Sequence, residues 1–188
     1  MRIIVGISGA TGAIYGIRLL QALQQNKVET HLVMSKWAEA TIRLETAIPV
    51  EEVRALADVV YAPGDQAAAI SSGSFLTHGM VVAPCSMKTL ASIAHGMADN
   101  LLARAADVIL KERRKLILVT REAPLSEIHL ENMLKLSRMG AVILPPMPAF
   151  YNHPGSVDDI VNHTIARVLD QLEIENQLTK RWKETTER

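Results

Sequence analysis

Short aliphatic runs recur along the chain, and stretches whose apolar residues repeat at helical spacing follow nearly all of them. The first run, residues 2–8, is apolar at Ile3, Ile4, Val5 and Ile7. Gly6, Gly9 and Gly12 then punctuate a turn, and Ile14, Ile17, Leu20 and Leu23 keep the helical period. Residues 28–35 predict a second strand with Ser35 at its C-terminal end. Residues 36–45 and 49–57 predict helices, and 59–61 a brief third strand. Residues 62–77, small and polar around Ser71, Ser72, Gly73 and Ser74, read as a loop, and a loop of this length in a compact domain is usually functional or mobile. A buried strand follows at 79–83, stopped by Pro84, and Ser86 to Thr89 opens a helix reaching about Gly96. Further elements are a helix at 100–113, a strand at 116–120 and a helix capped by Ser126, with Leu125 and Leu130 as a hydrophobic staple and Gly140 as its stop. A last strand at 141–144 and a long helix capped by Ser156 close the pattern. The apolar stripe of that helix runs through Val157, Ile160, Val161, Ile165, Val168, Leu169 and Leu172.

Strands alternating with helices predict a single α/β domain over residues 1–188, with a mainly parallel sheet covered on both faces. The charged tail from residue 179 is expected to be a subunit-contact arm or frayed. Ligands in such folds bind outside the carboxyl ends of the strands. Ser8, Gly9 and Thr11, then Ser35, then Cys85 to Thr89, then Arg121 and Glu122 all fall at such ends, which points to one shared crevice. A strand, a glycine turn and a helix N-terminus make a ready anion site, and we read this one as the phosphate end of a nucleotide-like cofactor site. The spacing G-x-x-G-x-x-G is neither the dinucleotide fingerprint nor a P-loop, so the turn alone is equally consistent with close packing.

Composition narrows this. The chain has 188 residues, 48% hydrophobic but only 4% aromatic, which suits an aliphatic α/β interior. Twenty basic residues balance 20 acidic ones, so neither nucleic acid nor an anionic membrane is expected as a bulk partner. The single cysteine, Cys85, excludes an intrachain disulfide and a C-x-x-C metal clip, and reads as a small core residue. His129, His153 and His163 have no ligand spacing with it, so no metal site is expected. No run reaches the ~20 apolar residues of a spanning helix, and the N-terminus enters a strand directly, so a cytoplasmic protein is expected.

The stretches GISGATGAIYGIRLL, ETHLVMSK, CSMKTL, RAADVILKERR, LVTREAPL, HLENMLKLSRMGAVILPPMPAFY and ARVLDQ closely resemble the UbiX-like flavin prenyltransferases, which include B subunits of phenolic-acid decarboxylase systems. The resemblance runs from Arg2 to about Trp182. It implies a Rossmann-like (flavodoxin-like) three-layer αβα sandwich that binds FMN. It further implies metal-independent transfer of a dimethylallyl group from dimethylallyl monophosphate to N5 and then C6 of reduced FMN. The product would go to a UbiD-type decarboxylase, and the protein would be a homo-oligomer, commonly a dodecamer, with its site at subunit contacts. Carried over by position, FMN would be held by Gly9, Ala10, Thr11, Ser35, Ser86, Met87, Lys88, Thr89 and Arg121. The prenyl phosphate would meet Tyr151 and Arg167, with Arg104 and Lys111 nearby, and Glu45 and Glu122 match acidic active-site positions. Thr11 stands where many members carry Ser.

The chemistry is consistent with these residues. Asp158-Asp159, the one Asp pair, opens the last helix and serves its dipole better than a metal. Cationic side chains would therefore take the leaving charge, Arg bidentately, with the phenol of Tyr151 beside it. Glu122 is the better acid–base candidate for the proton lost at C6, if its carboxylate is partly buried. Without the resemblance, Arg104 and Arg167 would read as surface ion pairs, Lys111 as a cation at a helix C-terminus and Glu45 as a plain helix-end charge. Two other functions compete. A flavin-dependent cysteine-type decarboxylase needs an early His and an Asn-bearing motif that the sequence lacks. A non-catalytic FMN-binding subunit would have no use for a second phosphate site.

Overall fold

Six strands form one parallel sheet in the order β3-β2-β1-β4-β5-β6. They are β1 (Arg2–Ile7), β2 (Glu29–Met34), β3 (Val59–Tyr61), β4 (Gly79–Cys85), β5 (Lys115–Thr120) and β6 (Val142–Ile143). The helices are α1 (Ala13–Gln25), α2 (Lys36–Glu45), α3 (Val50–Ala55), α4 (Met87–Ala94), α5 (Leu101–Lys111), α6 (Glu127–Arg138) and α7 (Val157–Gln171). This computed structural model describes residues 1–182; residues 183–188, the last part of the expected charged arm, lie outside the described residues.

The two-residue period of the strands divides the core into two layers. Ile3, Val5 and Ile7 of β1, with Val81 of β4 and Val119 of β5, pack under α1, α2, α3 and α7. Ile4, Met80, Val82 and Leu118 point the other way, under α4, α5 and α6. Each fully buried Ile or Leu contributes about 1.5–3 kcal/mol relative to exposure, so central strands read as nearly unbroken aliphatic runs. At Gly16 of α1 a Cβ would meet the Ala83 carbonyl oxygen at 2.4 Å, so this glycine lets α1 settle directly onto β4. The three-layer sandwich expected from the sequence is therefore present.

Most boundaries fall within a residue or two of expectation, and three local expectations are corrected. Pro84 does not end β4. The strand runs on to Cys85 through a register shift after Val82. Proline lacks the N–H but not the carbonyl, and Pro84 O accepts from Ser8 N at 3.2 Å. Leu125 and Leu130 make no buried staple, being 43% and 53% exposed. α6 is entered instead through a capping box, with Ser126 Oγ accepting from His129 N and His129 Nδ1 accepting from Ser126 N. Val157 is also exposed, because the first turn of α7 overhangs the crevice described below. The 62–77 segment carries a 3₁₀ turn (Ala69–Ser71) with Ile70 buried. Arginines fasten it by its carbonyls: Arg104 to Ser71 O, Arg114 to Gly73 O and Phe75 O, and Arg2 to Leu76 O.

Candidate active site at the carboxyl edge of the sheet

Ser8 directly follows β1 and is 1% exposed. Its Oγ donates to Pro84 O at 2.8 Å and accepts from Ser86 N at 2.7 Å, tying the turn after β1 to the turn after β4. On the other flank, Ser35 N donates to Ile7 O at 3.0 Å. Ser35 and Ser86 cap α2 and α4, accepting from Ala38 N at 3.0 Å and Thr89 N at 3.3 Å. Two capped helix N-termini thus flank β1, on the side where strand order reverses.

The N-terminus of α1 is used differently. Gly12 N and Ala13 N donate to Glu45 Oε2, at 2.8 and 3.1 Å. Glu45 is thus neither a free helix-end charge nor spare: it supplies the anion that the α1 dipole favours. With the α1 end taken up by Glu45, the helix N-termini left beside the glycine turn are those of α2 and α4. Gly9 is fitted closely there, since a Cβ on it would meet Trp37 Cβ at 2.3 Å.

Beyond the turn, a cavity of about 450 Å³ opens between α1, the end of β5 and the Pro145-Pro146 segment; Thr11, Tyr15, Thr120, Arg121 and Glu122 are among its walls. Thr120 Oγ1 is buried there without a hydrogen-bond partner, so the wall offers a polar atom to a ligand. Burial raises the Tyr15 phenol above its usual range, with Thr164 and Arg121 opposing. A second cavity, about 290 Å³, shares Pro145 and Met147 with the first and adds His163 and Arg167. Arg167 donates to Asp170 at 2.8 Å, and Arg181 donates to both oxygens of the same carboxylate at 2.7 and 3.1 Å. Tyr151 lies edge-on to His163 at 5.9 Å and to Trp182 at 5.3 Å. Burial, then Arg167, holds the His163 imidazole below its usual pKa. A larger hollow of about 530 Å³, between residues 152–154 and 176–180, touches no strand end.

The family model described as Flavoprotein matches residues 1–169. A relative from Escherichia coli O157:H7 named as a probable UbiX-like flavin prenyltransferase is 65% identical over 183 residues, covering 97% of this chain and 93% of its own. The chain belongs to the UbiX-like flavin prenyltransferase family. Within it, the crystal structure of a dodecameric FMN-dependent UbiX-like decarboxylase from the same organism superposes with a TM-score of 0.96 at 65% identity, over 97% of this chain and 100% of that one. AnUbiX (PadA1), solved with FMN and dimethylallyl pyrophosphate, gives 0.96 at 56% identity over 98% of both chains.

As a family member, the chain brings most of its expected site residues to one edge. Gly9, Ala10, Thr11, Ser35, Ser86 to Thr89, Arg121 and Glu122 sit at strand ends or first helical turns. Met87 packs on the α4–α5 core, while Lys88 is exposed, 3.8 Å from Asp99. Glu122 is exposed in one subunit rather than partly buried, and accepts from Ala123 N at 3.0 Å. Arg104 and Lys111 do not join Tyr151 and Arg167 within one subunit. α5 descends from the carboxyl edge, so Lys111 reaches the opposite edge, four residues before β5 starts, paired with Glu112. Arg104 faces the 3₁₀ turn, donating to Ser71 O at 3.1 Å and Asp107 at 2.8 Å. Cys85 is fully buried and its thiol is pushed up to about 12 by burial, so it offers no thiolate. Sequence reasoning missed Tyr15 and Thr120. Their signals were present: Tyr15 lies four residues, one helical turn, after Thr11, and Thr120 is the last residue of a buried strand. Among the described residues no group of His, Cys, Asp and Glu could hold a metal ion, and no helix is long and apolar enough to cross a membrane.

Proposed function

We propose that the chain transfers a dimethylallyl group from dimethylallyl monophosphate to reduced FMN, first at N5 and then at C6. Inorganic phosphate leaves and prenylated FMN is released to a UbiD-type decarboxylase. The observation that carries this reading is a pair of adjoining cavities that share Pro145 and Met147, one walled by Thr11, Thr120 and Arg121, the other by the cation Arg167. We assign the cofactor to the first cavity and the leaving phosphate of the donor to the second. The near full-length likeness to named prenyltransferases supports it further.

FMN fits the residues present: the Thr120 hydroxyl, buried without a partner in the cavity wall, offers a ligand a polar atom along this edge. When bound and reduced, it supplies the nucleophilic N5 and C6. Gly9, Ala10, Thr11, Ser35, Ser86, Met87, Lys88, Thr89 and Arg121 hold it, with the α2 and α4 amides neutralising its phosphate. Arg167 and the Tyr151 phenol receive the charge that develops on the donor phosphate. Glu122, screened from water once a neighbouring subunit covers it, accepts the proton from C6. Arg104 and Lys111 act on the site of a neighbouring subunit in a homo-oligomer, a dodecamer by analogy with its relative. Cationic side chains carry the leaving charge without a metal ion, and the reaction takes place in the cytoplasm.

The test is anaerobic: purified protein, reduced FMN and dimethylallyl monophosphate without added metal, with mass spectrometry of the released flavin. A gain of one five-carbon prenyl unit supports the reading. Unmodified bound FMN, with monophosphate and diphosphate donors both tried, would leave a flavin-carrying subunit of a decarboxylase instead.

A further inference from the structure

Trp37 is the second residue of α2, two positions beyond Ser35, and it is 75% exposed. Its root is firmly held. Ser35 Oγ accepts from the next amide at 3.0 Å, Thr41 Oγ1 donates to the Trp37 carbonyl at 2.8 Å, and Cβ lies against Gly9 too closely for any side chain there. The ring is not held. Among the described residues it stacks on no other ring and its N–H has no acceptor. The other tryptophan, Trp182, lies edge-on to Tyr151. An indole buries some of the largest apolar area of any side chain and prefers a planar partner. Here it is rooted on the turn that faces the crevice.

We infer that Trp37 forms an aromatic wall of the flavin site, its indole lying against the isoalloxazine ring of FMN. This rests on the flavin reading above and adds a cofactor-binding residue to it. The root contact with Gly9 favours the flavin as occupant, because Gly9 belongs to the turn whose Thr11 and Gly12 line the cavity. The competing occupant is a second copy of the chain, since Leu44, seven residues on along α2, is 86% exposed.

The test uses the Trp182→Phe variant, in which Trp37 is the only tryptophan, titrated with FMN while binding is measured separately by equilibrium dialysis. Trp37 emission should fall in step with occupancy, and flavin emission should be quenched on binding. Trp37→Phe should retain most of the affinity and release part of the flavin quench. Trp37→Ala should weaken FMN binding roughly 2- to 12-fold, the worth of one aromatic contact, while circular dichroism stays unchanged. FMN bound with Trp37 emission unmoved would overturn the inference and leave the flavin reading standing. So would Trp37 emission that follows protein concentration but not FMN, which would assign the ring to the second copy. Failure of the unsubstituted protein to bind FMN would overturn both.

Discussion

Replacing Ser8 with alanine tests the link that holds the two turns of the site together. The hydroxyl is buried and makes two bonds, donating to Pro84 O and accepting from Ser86 N. Alanine removes both, with unequal consequences. Pro84 O keeps the Ser8 N–H at 3.2 Å and is not orphaned. Ser86 N, among the described residues, loses its acceptor at the base of α4. One net bond lost is worth about 1 kcal/mol and a stranded donor about 1–3, so the expected destabilisation is about 2–4 kcal/mol. Ser35→Ala is the comparator: it removes a cap worth about 0.5–2 kcal/mol but strands no buried donor. Urea unfolding at fixed protein concentration, which holds assembly constant, should place Ser8→Ala below Ser35→Ala, with unchanged m-values. FMN affinity should fall as well, because α4 is no longer drawn against β1. A loss below about 0.5 kcal/mol, or the reverse order, would refute the reasoning.

Arg167→Ala should leave FMN binding intact and slow prenylation by roughly 10- to 150-fold, the worth of one charged hydrogen bond; unchanged turnover would remove Arg167 from the donor site. Cys85 should resist thiol reagents at pH 8 in the folded protein and react fully in urea, and rapid labelling of the native chain would contradict its burial. Glu29 is held at about 2, below its ordinary 4.5, first by its hydrogen bond from Arg2 and then by His31. A carboxylate depressed in the fold contributes stability that is complete above about 4.5 and is lost as pH falls towards about 2. The urea midpoints of the unsubstituted protein and Glu29→Gln should therefore differ at pH 6 and converge as pH falls through that window. A constant difference would show that the carboxylate acts through packing alone.

The fold was legible because aliphatic strands and helical stripes are local patterns: β3 (Val59–Tyr61) and α2 (Lys36–Glu45) fall where periodicity put them. Strand-end hydroxyls were legible for the same reason, since strand direction fixes which end faces the ligand. What escaped depends on contacts distant along the chain. The role of Glu45 as the acceptor for the α1 amides joins residues 33 positions apart, and no local pattern announces it. Pro84 misled because its missing N–H signals a strand end, whereas the ladder here continues through carbonyls. Leu125 and Leu130 have staple spacing, yet a staple also needs the two side chains to bury against each other, and here both stay exposed. Arg104 and Lys111 illustrate the same limit: their positions along α5, which carry them to the 3₁₀ turn and to Glu112, depend on how that helix packs rather than on any local pattern.

The shared carboxylate of Asp170 bears on how easily Arg167 can be recruited. An arginine that must abandon its only partner leaves a bare anion behind, and that debt opposes capture of any incoming phosphate. Here Arg181 already holds both carboxylate oxygens, and hydrogen bonding from Arg181 is the largest cause of the lowered Asp170 pKa. Arg167 can therefore turn towards a phosphate while Asp170 stays neutralised. The guanidinium is kept oriented between turnovers at little cost to its release, and residues near the C-terminus set how readily it lets go.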